Sequence, residues 1–170
     1  MRLTNLLLFL FILTTMSSIT NAVKLSVTSS AFTDGGMIPS KYTCEGSETS
    51  PPLKVTDIPD RTKSLSVIVN DPDAPVPGGF THWVIWNLDN KGIISEGCKS
   101  GEQGLNGANK SGYKGMCPPT GTHHYHFKVY ALDARMDIDK NSNKAALEKA
   151  MEGHILGEGE LVGLYAKTKH

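Results

Sequence analysis

The sequence predicts a mainly β fold, a sandwich of antiparallel-rich sheets with one C-terminal helix. Three observations carry that expectation. β-branched and aromatic residues gather in runs of strand length, clearest at residues 64–70 and 80–88. One segment, residues 143–155, spaces its apolar residues for a helix. Gly 17 and Pro 9 in 170 residues punctuate long connections that a helical bundle would not carry.

The first element stands outside that fold. Met1-Arg2 is a basic start, and Leu6 to Leu13 reads Leu-Leu-Leu-Phe-Leu-Phe-Ile-Leu. A membrane-spanning helix needs roughly 20 apolar residues, so this run has the length of a leader and not of an anchor. Ala22 closes a small-x-small cleavage pattern after Ser17, Ser18, Thr20 and Asn21. Residues 1–22 are expected to be a signal peptide and residues 23–170 a single domain, exported to a periplasmic or secreted location. No later stretch is long and apolar enough to span a membrane.

Within the domain, residues 24–29 alternate weakly and read as a first strand. Gly35, Gly36, Pro39, Gly46, Pro51 and Pro52 make residues 34–52 mostly loop. Residues 64–70 (Ser-Leu-Ser-Val-Ile-Val-Asn) form a strongly β-branched strand, and 80–88 is apolar on both faces, as suits a central strand. Residues 90–122 are again loop-like, 124–132 is a third strong strand, and 161–167 a last one. The helix expected over 143–155 carries Ala146, Leu147, Ala150, Met151, His154 and Ile155 at helical spacing. Asn141 to Asn143 offer caps, and Gly157 lies beyond its end.

Composition excludes several functions. Lys+Arg 17 against Asp+Glu 17 leaves a formal net charge of zero, so no extended basic surface is available for nucleic acid. A hydrophobic fraction of 39% with 20% charged residues supports a packed core and not disorder. Cys44, Cys98 and Cys117 allow one disulfide and one free thiol in an oxidising compartment, and the three pairings stay open.

Function is expected where the strand faces end. Leu65, Val67 and Val69 share a face that alternation continues to Asp71. His82 shares a face with Val84, Trp86 and Leu88, and His123 and Tyr125 with Phe127, Val129 and Ala131. The opposite face of that third strand, with His124, His126, Lys128 and Tyr130, reads as solvated. Asp71, His82, His123 and Tyr125 therefore converge if these faces meet in one core. A few polar groups gathered among apolar walls are the usual form of a small-ligand site. Taken singly, Asp71 could start a turn and His82 could be a satisfied core histidine; their coincidence on three strands favours a pocket. Two proline-rich stretches, 71–79 and 117–121, flank it and should be stiff.

Several ordered motifs then add to this reading. They are Ile38-Pro-Ser-Lys-Tyr-Thr-Cys-Glu-Gly with Ser50-Pro-Pro-Leu, Asp71-Pro-Asp-Ala-Pro, Thr81-His-Trp, and Gly112-Tyr through Cys117-Pro-Pro-Thr-Gly-Thr-His-His-Tyr-His-Phe. Leu147 to Leu156 followed by Glu160-Leu-Val-Gly completes the set. Together they resemble the phosphatidylethanolamine-binding protein family, in its bacterial and archaeal Raf-kinase-inhibitor-like branch, over nearly all of residues 23–170. The resemblance implies a β-sandwich with a small anion-binding cavity near the surface. It carries the cavity aspartate onto Asp71, the histidines onto His82 and His123, the tyrosine onto Tyr125, and the loop wall onto Cys117 and Pro118. The chain departs from the family pattern at His124, where relatives often carry Arg, and at Met116, which could change the rim and its charge.

The expected ligand is a phosphate ester, a phospholipid-like headgroup or a carboxylate, with no cofactor, metal site or catalytic set. The main alternative is a hydrolase built on Cys117, His and Asp; a disulfide of Cys117, with Cys44 as the candidate partner, would remove its nucleophile. A second alternative is protease or kinase inhibition through surface loops, by an unknown protein target. Relatives of the branch look dimeric, which implies a homodimer that no feature of this sequence specifies.

Overall fold

The computed structural model describes residues 22–168. The leader expected over residues 1–22 lies outside them apart from Ala22. Ten strands and one α-helix follow: β1 (Val23–Lys24), β2 (Ser26–Thr28), β3 (Gly36–Met37), β4 (Leu53–Thr56), β5 (Ser64–Asp71), β6 (Phe80–Leu88), β7 (Ile93–Ile94), β8 (Glu102–Gln103), β9 (His123–Leu132), α1 (Lys144–Met151) and β10 (Ile155–Tyr165).

The long strands β10, β9, β5 and β6 lie side by side, all antiparallel, with β8 outside β6. The short β1 and β3 pair in parallel with β10. A three-stranded sheet, in the order β2-β4-β7, packs over one face of this large sheet. Between them lies the main core: Leu65, Val67 and Val69 of β5, Phe127, Val129 and Ala131 of β9, with Val27, Leu53, Val55 and Ile94 opposite. The other face is covered by α1, whose Leu147 and Met151 pack on Ile68, Val84, Trp86 and Leu132. The mainly β sandwich with a C-terminal helix is the architecture observed.

The differences from the sequence reading have local causes. The first strand is two strands, β1 and β2, in different sheets, with Leu25 buried between them. The helix stops at Met151, four residues short of the expected end, because Gly153 turns the chain at φ +79. Its start is as the caps suggest: Asn143 Oδ1 accepts the backbone N–H of Ala146 at 3.1 Å. The last strand begins at Ile155, well before 161. Its first half, Gly-Glu-Gly-Glu, has low β propensity, but the glycines leave room for chain crossing above. A Cβ at Gly159 would stand 2.5 Å from the carbonyl oxygen of Leu25. Tyr130, at the end of the β9 face expected to be solvated, is buried under α1, as is Leu132 beyond it.

β6 departs most from simple alternation. Its register against β5 shifts twice, between the pairs Val69–Trp83 and Asn70–Thr81 and between Leu65–Leu88 and Val67–Ile85. Each shift is a bulge that inserts one extra residue on β6. The face expected to hold His82, Val84, Trp86 and Leu88 is therefore divided. Val84 and Trp86 face the helix, whereas Leu88 packs in the main core with Trp83 and Ile85. His82, the extra residue of the first bulge, turns to the side of Trp83, where its ring meets Tyr125 at 5.2 Å.

Candidate functional site

The ends of β5 and β9 and the bulged start of β6 meet beside two loops. They border a cavity of about 210 Å³ lined by Asp71, Ala74, Pro75, Val76, Phe80, His82, Lys114, Gly115, Cys117, Pro118 and Pro119. Four of the expected site residues, Asp71, His82, Cys117 and Pro118, are on its wall. His123 and Tyr125 stand behind that wall, each in contact with a residue that forms it.

Asp71 closes β5 and is nearly inaccessible. Its Oδ1 accepts the backbone N–H groups of Asp73 (2.9 Å) and Ala74 (3.1 Å), so the turn that follows orients its carboxylate. Its Oδ2 accepts from His123 Nδ1 at 2.8 Å. The next pair repeats the pattern outside: Asp73 Oδ2 accepts both the backbone N–H of His124 (2.8 Å) and its ring Nδ1 (2.7 Å). Those two bonds from His124 hold the Asp73 carboxyl below its ordinary value. The 71–74 loop is thus gripped to the start of β9 by adjacent carboxylates.

His82 is held from the other side of the cavity. Its Nδ1 lies 2.8 Å from the carbonyl oxygen of Lys114, which can only accept, so Nδ1 carries the hydrogen. The same two residues are bonded again through the backbone, Lys114 N–H to His82 C=O at 2.8 Å. Nε2 offers a lone pair in the neutral ring and a donor in the protonated one. Burial pushes the imidazole below its ordinary 6.5, partly opposed by the Lys114 carbonyl and the Asp71 charge. Phe80 packs edge-on at 4.8 Å.

Tyr125 lies edge-on to His82 and stacks on His123, with ring centroids 6.4 Å apart. Its hydroxyl is fully buried and has no hydrogen-bond partner among the described residues. Burial, with the charges of Asp71 and Asp73 behind it, raises its pKa far above the ordinary phenol value, so it remains a donor at any physiological pH.

The opposite wall is tied to a distant loop. Cys117 forms a disulfide with Cys44, 73 residues earlier. The neighbouring backbone is bridged too, Thr43 against Met116, with the Cys44 N–H donating to the Met116 carbonyl at 3.1 Å. So bonded, Cys117 has no thiolate to attack a substrate, and the nucleophile of the hydrolase alternative is lost. The free cysteine is Cys98, which is buried.

Lys114 is a wall residue that strand alternation does not reveal, because it lies in an irregular loop. Its Nζ is bound by Glu48, 2.8 Å to Oε2 and 3.1 Å to Oε1. Glu48 Oε2 also accepts the backbone N–H of Gly115 at 3.3 Å. The ammonium keeps the Glu48 carboxyl below its ordinary value. Glu48 itself is in a left-handed backbone conformation, φ 49.

The model of the family described as phosphatidylethanolamine-binding protein matches residues 28–166, a span that contains every residue of the cavity. The chain belongs to the phosphatidylethanolamine-binding protein family. A UPF0098 protein of Pyrococcus horikoshii is 50% identical over 150 residues, 82% of this chain and 75% of that relative. The UPF0098 protein of Chlamydia trachomatis is 42% identical over 151 residues, 84% and 99% of the two chains. Two crystal structures of phosphatidylethanolamine-binding protein relatives share the fold. A homologue from Chlamydia trachomatis superposes with TM-score 0.81 at 40% identity, covering 86% of this chain and 100% of that one. YbcL of E. coli, described as a new member of the mammalian family, gives 0.79 at 31% identity, with 86% and 100% covered. Among the described residues, no helix is long and apolar enough to cross a membrane.

Proposed function

We propose that this protein is an exported binding protein whose cavity takes a small anionic group, a phosphate ester or the phosphate of a headgroup. The observation that carries the reading is the commitment of His82. With Nδ1–H given to the Lys114 carbonyl, the ring directs its remaining chemistry, Nε2, to the ligand. Asp71 does not repel the ligand as a bare charge would, because His123 and two backbone N–H groups already occupy its oxygens. Apolar walls from Pro75, Val76, Phe80 and Pro118 lower the local dielectric and so strengthen polar contacts made against them. The family's name, taken from a phosphate-bearing lipid, agrees with that class. Export is supported by the apolar leader pattern at residues 6–13 and by a disulfide of the kind that persists in oxidising compartments.

The test is a titration with inorganic phosphate and with phosphorylethanolamine, followed by NMR through the imidazole nitrogens of His82 and, in parent and mutant alike, through the backbone amides of Asp73 and Ala74 beside the cavity. Saturable shifts are expected at His82, and His82→Ala should abolish the pocket response. A mutant that titrates like the parent protein overturns the assignment.

A further inference from the structure

We propose that Lys114 sets the ligand class of this cavity: released from Glu48, it meets the second charge of a phosphate monoester, so the site prefers monoesters to phosphodiesters and carboxylates. The inference rests on the anion-binding reading above and deepens it.

The cavity wall supplies few charges. The Asp71 carboxylate is already bonded, and His82 offers one nitrogen. Lys114 is the cation of the wall, and Glu48 holds it. The backbone of Lys114 is fixed on both sides by His82, through N–H to carbonyl and ring to carbonyl. Its side chain is the part free to swing. That side chain is 39% exposed and Glu48 is 34% exposed, and a half-solvated ion pair of this kind is held weakly. Exchange of one carboxylate for a ligand oxygen therefore costs little.

Glu48 also lines a second, polar cavity, with Ser47, Thr49, Gly112 and Tyr113. Its φ of 49 is unusual for a residue with a side chain.

A phosphate monoester has a second ionisation near pH 6, so near neutrality it brings either a second negative charge or its own proton. The charge suits Lys114 and the proton suits the lone pair on His82 Nε2. A diester or a carboxylate carries one charge and no proton in that range, so it attracts Lys114 less and leaves the lone pair on His82 Nε2 without a donor.

The experiment compares methyl phosphate, dimethyl phosphate and acetate at pH 7, by calorimetry and by the His82 signals. Methyl phosphate should bind about ten- to a hundredfold more tightly than the other two, the worth of one extra hydrogen bond between charged groups. Lys114→Met should remove most of that preference with little change for acetate, and Lys114→Arg should retain it. Glu48→Gln, which keeps the side-chain shape, should tighten methyl phosphate by about two- to fivefold by removing the competing carboxylate. Equal affinities in the parent protein, or an unchanged preference in folded Lys114→Met, overturn the inference and leave anion binding intact. Absence of any shift at His82 with all three anions overturns both.

Discussion

Asp71 and Asp73 stand two residues apart, and each takes the imidazole of a neighbouring residue of β9. The distances are almost equal, 2.8 Å for Asp71–His123 and 2.7 Å for Asp73–His124. The surroundings are not. The inner pair has side-chain exposures of 4% and 9%, the outer pair 42% and 55%. Attraction between charges at fixed distance scales inversely with the local dielectric, and water at the outer pair screens most of it. The same chemical pair thus serves as a fixed part of a cavity at one position and as a surface tether at the next.

Asp71→Ala should have the largest effect, because it strands the buried imidazole of His123 and the N–H groups of Asp73 and Ala74. A loss of about 3–5 kcal/mol is expected in urea denaturation, together with loss of phosphate binding. If Asp73→Ala costs as much, the contrast between the pairs is wrong. Removal of the disulfide by Cys44→Ala with Cys117→Ala ranks next, at about 2–4 kcal/mol. It should also narrow the difference between the pairs, since Cys117 and Pro118 face Asp71 across the cavity. Faster hydrogen exchange at the His123 ring would register that change.

The third effect is one of pH. The folded-state pKa of His82 is lowered below 6.5, so the unfolded chain binds the proton more readily than the folded one. Its contribution to stability is complete above pH 6.5 and lost as pH falls through and below that value. Thermal melts across pH 7 to 5 should show the decline. Saturating phosphate, which favours the imidazolium, should reduce it, and His82→Gln should flatten it. The smallest effect belongs to the outer pair. His124→Ala should cost no more than about 1 kcal/mol and less at high salt. Because the Asp73 carboxyl is depressed below its ordinary 3.8, that increment is present above this value and disappears as pH falls below it. Melts of the parent and His124→Ala proteins should therefore converge in acid.

Much of this was legible in sequence where residue pattern and burial agree. β5 and β9 alternate cleanly, so Asp71, His123 and Tyr125 could be set on one side before any coordinates. The first half of β10 could not be read, because its glycines are there for the close passage of Leu25 and carry no hydrophobic signal. His154 and Ile155 keep helical spacing past the turn at Gly153, so spacing alone extends the helix beyond its end at Met151. Lys114 and Glu48 lie in loops, where no period relates a residue to its partner 66 positions away. His82 reaches its neighbours by a route that residue alternation does not encode. Simple alternation sends it to the face of Val84 and Trp86, and only the bulge returns it to the cavity.

That bulge makes the site depend on chain length as well as residue identity. Trp83 pairs with Val69 and Thr81 with Asn70, so β6 spends one more residue than β5 over the same step. Deleting Thr81 would let His82 pair with Asn70, restore the ladder and send the imidazole to the helix side. Every residue assigned to the cavity would still be present. A one-codon deletion here should therefore be as damaging to binding as loss of the histidine itself, while a sequence comparison that scores only residue identity would register almost no change.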